Sequence, residues 1–453
     1  MNKLIRFTLI LFLISCGIDK ESAPPLASVS NTGELDVTFD SDGYLTIDGS
    51  AGGSMADDEI HDMITDSIGR IIAVGSSVNG SGNKDMTVWR LNASGAIDTS
   101  FATSGVFVHD NAAGGTGDDI GYSVTLDASD NIYIAGASTN LAGNLDMAVW
   151  KIDSGGTLDN TFSGNGVYTH DGAAGGNLQD QGNAITLDST LRVIVAGFSD
   201  QTLTNRDMAV WKLSTAGNPD TSFNTTGRFT SDGLAGGEDD IGNAVTTDAS
   251  NNIIVAGNAD SASNGDMAVW RISSAGNLDT GFSGDGFFSH NNAAGGDDAD
   301  SVNDLVIDSE GKYLMTGFSR NLNGNFDMQI WKLNTDGSFD TTFSADGMVT
   351  FDVSSITGGA TNDAGEAISI DSEGRIVISG YGNEDMCIWR YDTNGSIDSN
   401  FNTDGFFSHD SAAGGFDVDV STSFAEDSQD RIYIGGFSEN SDGNFDATFW
   451  RLK

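Results

Sequence analysis

The sequence predicts an all-β chain, a seven-bladed β-propeller of four-stranded blades whose last blade is closed by the N-terminal strand. Three observations predict it. One phrase is written seven times, each copy divides into four short β-rich runs, and the piece missing at the C-terminus stands at the N-terminus.

The tryptophans mark the repeat. Trp89, Trp150, Trp211, Trp270, Trp331, Trp389 and Trp450 each follow an aspartate by four residues, as in "DMAVWKL" (207–213), and successive copies lie 58 to 61 residues apart. Self-similarity at such a period calls for a stacked or closed array of identical units. Within one copy, "GVYTHD" (166–171), "NAITLD" (183–188), "RVIVAG" (192–197) and "DMAVWKL" are rich in Val, Ile, Thr and aromatics and are separated by Gly, Asp, Asn and Ser. These are strands and turns, and no stretch after the leader shows helical periodicity. Four strands per unit make a propeller blade, with a right-handed solenoid as the weaker competitor. The ends decide between them. Internal copies run on from the Trp strand into phrases such as "LNASGAIDTSF" (91–101), whereas the chain stops at "WRLK", and "NTGELDVTFDSDGYLTID" (31–48) supplies the continuation. A ring uses that split, with one N-terminal strand added to three C-terminal ones, and leaves no exposed edge at the seam.

Length and composition agree with a repeat protein. The chain has 453 residues with 59 Gly and only 3 Pro, so tight turns rather than proline-rich disorder connect the strands. Lys plus Arg number 20 against 66 Asp plus Glu, a formal charge of −46. Such a surface repels polyphosphates and anionic lipid and favours cations or basic partners, which excludes nucleic acid.

The first residues read as an export leader, with Lys3 and Arg6 ahead of the apolar run "FTLILFLI", too short for a stable span. "LISC", Leu13 to Cys16, resembles a bacterial lipobox. That resemblance implies a signal peptide over 1–15, cleavage before Cys16 and lipidation of its thiol, with a flexible tether over 16–31 and the propeller over 32–453. Gly17 rather than Asp after the cysteine suggests the outer membrane, so the expected home is the bacterial envelope or cell surface, with membrane contact through the lipid only. Cys387, the one other cysteine, occupies a slot filled elsewhere by Thr, Ala or Gln and reads as a buried structural thiol.

The repeated phrases also resemble the bacterial delta-60 repeat family. The matching residues are the "LDxTF" type phrase (Leu35 to Phe39, Ile97 to Phe101, Leu158 to Phe162, Phe339 to Phe343), the turn in "DSEGRIVISG" (371–380) and the aspartate-to-Trp strand, and they extend over nearly everything after the tether. The chain departs from the family where "DASDN" or "DASNN" replaces a plain Asp-Gly turn, and where Lys-Leu often ends the Trp strand. The resemblance implies an exported, surface-associated, propeller-like protein and no catalytic residues.

Four aspartates recur in every copy. The first, in the "LDxTF" phrase (Asp36, Asp98, Asp159, Asp220, Asp279, Asp340, Asp398), and the second, opening the turn after the innermost strand (Asp66, Asp127, Asp188, Asp248, Asp308, Asp371, Asp427), read as caps for nearby backbone N–H groups. The third (Asp85, Asp146, Asp207, Asp266, Asp327, Asp385, Asp446) opens the Trp strand and fixes the exit of its loop, while the Met and Trp beside it form a core layer rather than a ligand cage. The fourth (Asp58, Asp119, Asp180, Asp240, Asp300, Asp363, Asp419) follows a Gly-Gly pair and precedes the innermost strand, sharing a rim with the third set and lying nearer the axis. Seven carboxylates around one opening repel by about 0.4 kcal/mol per neighbouring pair at ~10 Å in water. Either backbone N–H groups cap them, or a cation sits among them, and oxygen ligands with carbonyl-rich glycine loops suit Ca²⁺.

Function follows from regularity. Seven nearly equal blades make a repeated surface, and the expected function is a binding or adhesion platform on the acidic, Gly-rich face for a surface protein or a glycan, with a monomer favoured. A rival is a lactonase- or glycosidase-like hydrolase with an axial Ca²⁺, drawing on Asn183, Asn243 and Asn303, each three residues after a rim aspartate. A third reading is a passive envelope spacer. No sialidase-type Asp box, nucleophile elbow, Cys/His pair or phosphate loop is visible, so no catalytic residue is assigned. His109, His170, His290 and His409 share the end of the outer strand, too far apart to ligate one metal, and His61 reads as a solvated rim residue.

Overall fold

The structure is a computed structural model that describes residues 32–453 apart from 54–55, 204, 233–238, 262–263, 354–360 and 428. The leader, Cys16 and the tether lie outside the described residues, as do the Gly-Gly pairs at 236–237 and 358–359. The repeat forms seven four-stranded antiparallel sheets, a seven-bladed propeller. Blade 3 shows the pattern: an innermost strand Asp180–Leu187, a second Val193–Thr202, the Trp strand Asn205–Leu213 and a short outer strand Arg228–Ser231. The second and Trp strands carry almost unbroken buried runs because a neighbouring blade covers each face, which is why they read as continuously apolar. In blades 2, 5 and 7 the innermost strand begins earlier, at Gly114, Gly295 and Gly414, so part of the expected glycine loop is strand.

Blade 7 is assembled from both ends of the chain. Gly414–Glu426, Ile432–Asn440 and Phe445–Leu452 are its three inner strands, and Tyr44–Ile47 is the outer one, with Tyr44 opposite Trp450 and Ile47 opposite Ala447. Further N–H groups lock the join: Gly33 donates to the Lys453 carbonyl at 3.0 Å and Asp36 to that of Arg451 at 2.8 Å. The innermost strand of blade 1, Asp58–Thr65, then packs on the first two strands of blade 7, and the ring is shut.

Seven hydrophobic clusters form the core, each drawn from two adjacent blades. All seven Trp side chains are fully buried in these layers, as the core reading requires. Their indole N–H groups show what the outer-strand histidines do. Trp150, Trp211 and Trp450 donate to Nδ1 of His109, His170 and His409 at 3.2, 3.3 and 3.3 Å, each histidine lying on the preceding blade.

The "LDxTF" aspartate caps the N–H two residues on, Ser100 to Asp98 at 3.1 Å for example, and does a second job that the phrase alone does not reveal. The cation that follows the Trp turns back to it in five blades, while Lys212 and Lys332 pair instead with the turn aspartates Asp188 and Asp308. Arg90 meets Asp98 at 2.9 Å, Arg390 meets Asp398 at 2.8 Å and Arg451 meets Asp36 at 2.7 Å. The same guanidinium stacks over the phrase's phenylalanine, 4.5 Å above Phe101 and 5.1 Å above Phe39. A buried arginine is tolerated because charge, donors and flat face all have partners.

Phe39 is fully buried at the closing seam, so Phe39→Ala should cost about 3–5 kcal/mol in chemical denaturation. A chain beginning at residue 49 should expose the edge of Phe445–Leu452, melt lower and self-associate, and a peptide covering 32–48 added in trans should restore the melting temperature. An unchanged melting curve for the shortened chain would show that closure is not what stabilises the ring.

Candidate functional site at the propeller axis

One irregularity, repeated seven times, shapes the inner wall. Each innermost strand carries a β-bulge, where the register with the second strand skips one residue: His61, Tyr122, Asn183, Asn243, Asn303, Glu366 and Thr422. A bulge re-aims side chains, and here the skipped residue and its successor both face the axis, around a cavity of about 520 Å³. Glycine on the second strand makes room for it. At Gly75, Gly136, Gly197, Gly257, Gly317, Gly380 and Gly436 an added Cβ would lie 1.8 to 2.0 Å from an inner-strand carbonyl oxygen.

Most bulge residues clasp the next blade. Asn183 Nδ2 donates to the Gly242 carbonyl at 3.1 Å, Asn243 Nδ2 to that of Val302 at 2.9 Å, Asn303 Nδ2 to that of Gly365 at 3.1 Å and Thr422 Oγ1 to that of Ile60 at 2.8 Å. His61, Tyr122 and Glu366 depart from this pattern. The His61 and Tyr122 rings lie 5.2 Å apart, and Glu366 Oε2 accepts from Asn303 Nδ2 at 3.2 Å. At the following position stand two carboxylates. Asp62 accepts from Met63 N–H (2.7 Å), Ser423 Oγ (2.7 Å), Ser123 Oγ (2.9 Å) and Val124 N–H (2.8 Å), tying blades 7, 1 and 2. Asp304 accepts from Leu305 N–H at 2.7 Å and, across the seam, from Ile368 N–H at 2.9 Å.

Burial sets the charge of this cavity. Loss of solvent pushes the carboxyls of Asp304 and Glu366 up to about 7 and about 8, raises Asp62, and pushes His61 down to about 4. Near neutrality Glu366 therefore holds its proton and His61 lacks one. Among the described residues no Lys or Arg lines the cavity. The result is a wall of amides, hydroxyls and carboxyls rich in donors and acceptors, with the His61–Tyr122 pair as its aromatic patch.

The rim aspartates take other places. Asp58, Asp119, Asp180, Asp240, Asp300, Asp363 and Asp419 sit at or near the start of seven separate innermost strands, each at most 3 % exposed. Six of them accept from the loop that follows the outer strand: Gly49 N–H to Asp58 at 2.8 Å, Asn111 to Asp119 at 2.9 Å, Gly172 to Asp180 at 2.8 Å, Asn292 to Asp300 at 3.1 Å, Val353 to Asp363 at 2.9 Å and Ser411 to Asp419 at 2.7 Å. Their carboxyls point into the blade seams, beside the third-set aspartates, and none lines the axial cavity. His61 is likewise not a rim residue: the bulge carries it onto the channel wall, and its Nε2 has no hydrogen-bond partner. Asp62, Asp304 and Glu366 escaped the sequence reading, although the glycine in the middle of every second strand was the signal for a bulge, and with it for the residues the bulge exposes.

The family described as "Domain of unknown function (DUF5122) beta-propeller" matches residues 69–101, 128–162, 192–223, 249–282, 309–343 and 372–401. Each match runs from near the start of the second strand to the phenylalanine of the "LDxTF" phrase, in blades 1 to 6. The seventh such window is the one divided between the chain ends. These matches and the seven-bladed ring make the chain a β-propeller of a repeat family. No curated protein matches. Similar solved structures include a protein of unknown function from Dyadobacter fermentans (9% identity, TM-score 0.43, 91% of this chain and 98% of that one). Chaetomium thermophilum Sqt1 bound to the N-terminus of ribosomal protein L10 (11%, 0.45, 90% and 98%) is another. Trypanosoma rangeli sialidase (9%, 0.39, 86% and 52%) is a third.

The raised acids fix a pH response. A carboxyl whose folded pKa lies above its unfolded value binds more protons in the folded state, so stability falls as pH rises from the unfolded toward the folded value. The histidines, with lowered folded values, act in the opposite sense, but only below about 6.5. Between pH 6.5 and 8.5 the raised acids Asp240, Asp304, Glu366 and Glu426 dominate. In chelator, the melting temperature should fall across that window, and Glu366→Gln should flatten the fall. A flat or rising curve for the native chain would overturn this assignment.

Proposed function

We propose that this propeller is a lipid-anchored envelope protein of the delta-60 type, displayed at the bacterial outer membrane or cell surface through Cys16, and that it binds a ligand at its axis. The observation that supports the reading is the bulge ring: the copies repeat one another nearly everywhere, yet present His, Tyr, Asn, Asn, Asn, Glu and Thr to one cavity. A repeated scaffold whose variation collects at two successive inward-facing positions per blade is suited to recognition. Amides and hydroxyls with a protonated carboxyl and an aromatic patch match a neutral, hydroxyl-rich ligand, so a glycan is the favoured partner. The acidic Gly-rich loops then frame the mouth of the site and repel anionic surfaces. The expected working form is a monomer, because every blade edge of the described ring is already paired or short.

The hydrolase reading draws on the same cavity, where three carboxyls and three asparagines converge. Asp62 is already occupied by four donors, however, and the Ser123 and Ser423 hydroxyls share that one carboxylate with two backbone N–H groups.

Binding to a glycan array, followed by calorimetry on the best ligand, tests the proposal. Tyr122→Ala and Glu366→Gln should each weaken binding at least tenfold while the fold persists by circular dichroism. Absence of any glycan ligand, or equal affinity in both variants, would overturn the axial site. Turnover of a lactone or glycoside that Glu366→Gln abolishes would replace binding by hydrolysis.

A further inference from the structure

One cradle for arginine recurs around the ring. Arg90 meets Asp98, stacks over Phe101 and donates to the Ser154 carbonyl of the next blade. Arg271 does the same with Asp279, Phe282 and the Thr335 carbonyl, and Arg451 with Asp36, Phe39 and the Ala93 carbonyl. A carboxylate, an aromatic face and a carbonyl from across the seam suit a guanidinium, which is flat, holds its donors in a fixed fork and is weakly hydrated.

The seam of blades 5 and 6 keeps the cradle without the arginine. Asp340, Phe343 and Thr393 stand at the equivalent positions, and Lys332 replaces the arginine and turns to Asp308 at 2.9 Å. Two other positions can fill such a seam, the residue before the second strand and the second residue of that strand. In blade 3 Arg192 reaches Asp220 at 2.9 Å, and in blade 2 the Tyr133 ring lies 5.2 Å from the Lys151 ammonium. Blade 5 has Lys312 and Leu314 there, and it is the one blade of the seven with neither arginine nor tyrosine at any of the three positions. A cavity of about 590 Å³ opens in consequence, with Asp340, Phe343 and Thr393 among its walls. That size falls within the range of small-ligand pockets. Charge agrees with the shape. Asp308, Glu310, Asp340, Asp371 and Glu373 line the cavity with Lys312 and Lys332, and Arg375 pairs with Asp371 and Glu373, so five carboxylates face three cations.

We propose that the seam of blades 5 and 6 binds a guanidinium group from outside the chain, on the Asp340 carboxylate, the Phe343 ring and the Thr393 carbonyl. The arginine side chain of a basic partner and a free guanidinium compound share that chemistry. Lys332→Arg would supply the same group from within and close the site. The seam lies off the axis and has its own walls, so this proposal and the axial glycan site fail separately.

The test uses the full chain at low ionic strength. Calorimetric titration with methylguanidinium should show one saturable site with a Kd on the order of 1 mM, and methylammonium, which carries the charge without the fork, should bind at least tenfold more weakly. Lys332→Arg places there the residue that four other blades carry, as Arg90, Arg271, Arg390 and Arg451. That variant should melt no lower than the native chain, which shows it folded, and should lose methylguanidinium binding at least tenfold. Lys151→Arg, in a seam already filled by Tyr133, should leave binding unchanged. A tripeptide acetyl-Gly-Arg-Gly-amide that binds better than its lysine counterpart assigns the site to a partner's side chain, and binding of methylguanidinium alone assigns it to a free small molecule. No saturable binding up to ~20 mM, equal affinity for methylammonium, or undiminished binding in Lys332→Arg would overturn the proposal.

Discussion

Every feature of this molecule depends on the closure of the ring. A single four-stranded blade is apolar on both faces, and only neighbouring blades can cover them, because each hydrophobic cluster takes its residues from two blades. A row of such blades would always end in an uncovered layer and an unpaired edge. Joining Tyr44–Ile47 to Phe445–Leu452 removes both at once, and it places the seam inside a blade, where main-chain hydrogen bonds hold it, rather than between blades. The axial cavity is a consequence, since seven innermost strands can converge on one axis only if the array closes.

Charge divides the ring into two unlike faces. Few cations are available, and they are spent where the Trp strand ends: Arg90, Arg271, Arg390 and Arg451 each join an aspartate to a phenylalanine of the same phrase. The paired carboxyls there fall below the usual range, Asp159 and Asp340 to about 2, through hydrogen bonds and a nearby lysine that outweigh desolvation. On the opposite face burial, with repulsion from neighbouring aspartates, pushes Asp85, Asp207 and Asp385 up to about 6. One face is neutralised from within. The other keeps its aspartates buried in the seams, held by loop N–H groups.

Much of this was legible in the sequence, and what was not has a common cause. Tryptophan spacing, strand runs and the split terminal phrase gave the blade count and the closure, because each is a property of one segment. The orientation of Asp58 and its equivalents was not evident, since a carboxyl beside a glycine loop can point to the axis or into the seam with the same sequence. The partnership of Arg451 with Asp36 depends on two chain ends meeting. Likewise the fate of His61 turned on a bulge, which moves a residue from the rim to the channel wall without changing its neighbours in sequence.

The bulge also explains why variety collects at the axis. A residue skipped by the ladder contributes little to strand pairing, so its side chain can change without altering the sheet, and seven such positions meet at one place. Freedom alone would let this ring fill with whatever packs best, and three of the seven are indeed asparagines that clasp the next blade. Glu366 does not fit that account. A carboxyl pushed up to about 8 by burial is a net cost to the folded state at neutral and higher pH, where glutamine would make the same contacts without it. The same holds for Asp304, up to about 7, beside a pool of neutral residues at the equivalent position, Ala184, Ala244 and Ala367. Groups that weaken a structure while a neutral substitute exists are what the proposed axial site would require, and Glu366 and Asp304 are such groups.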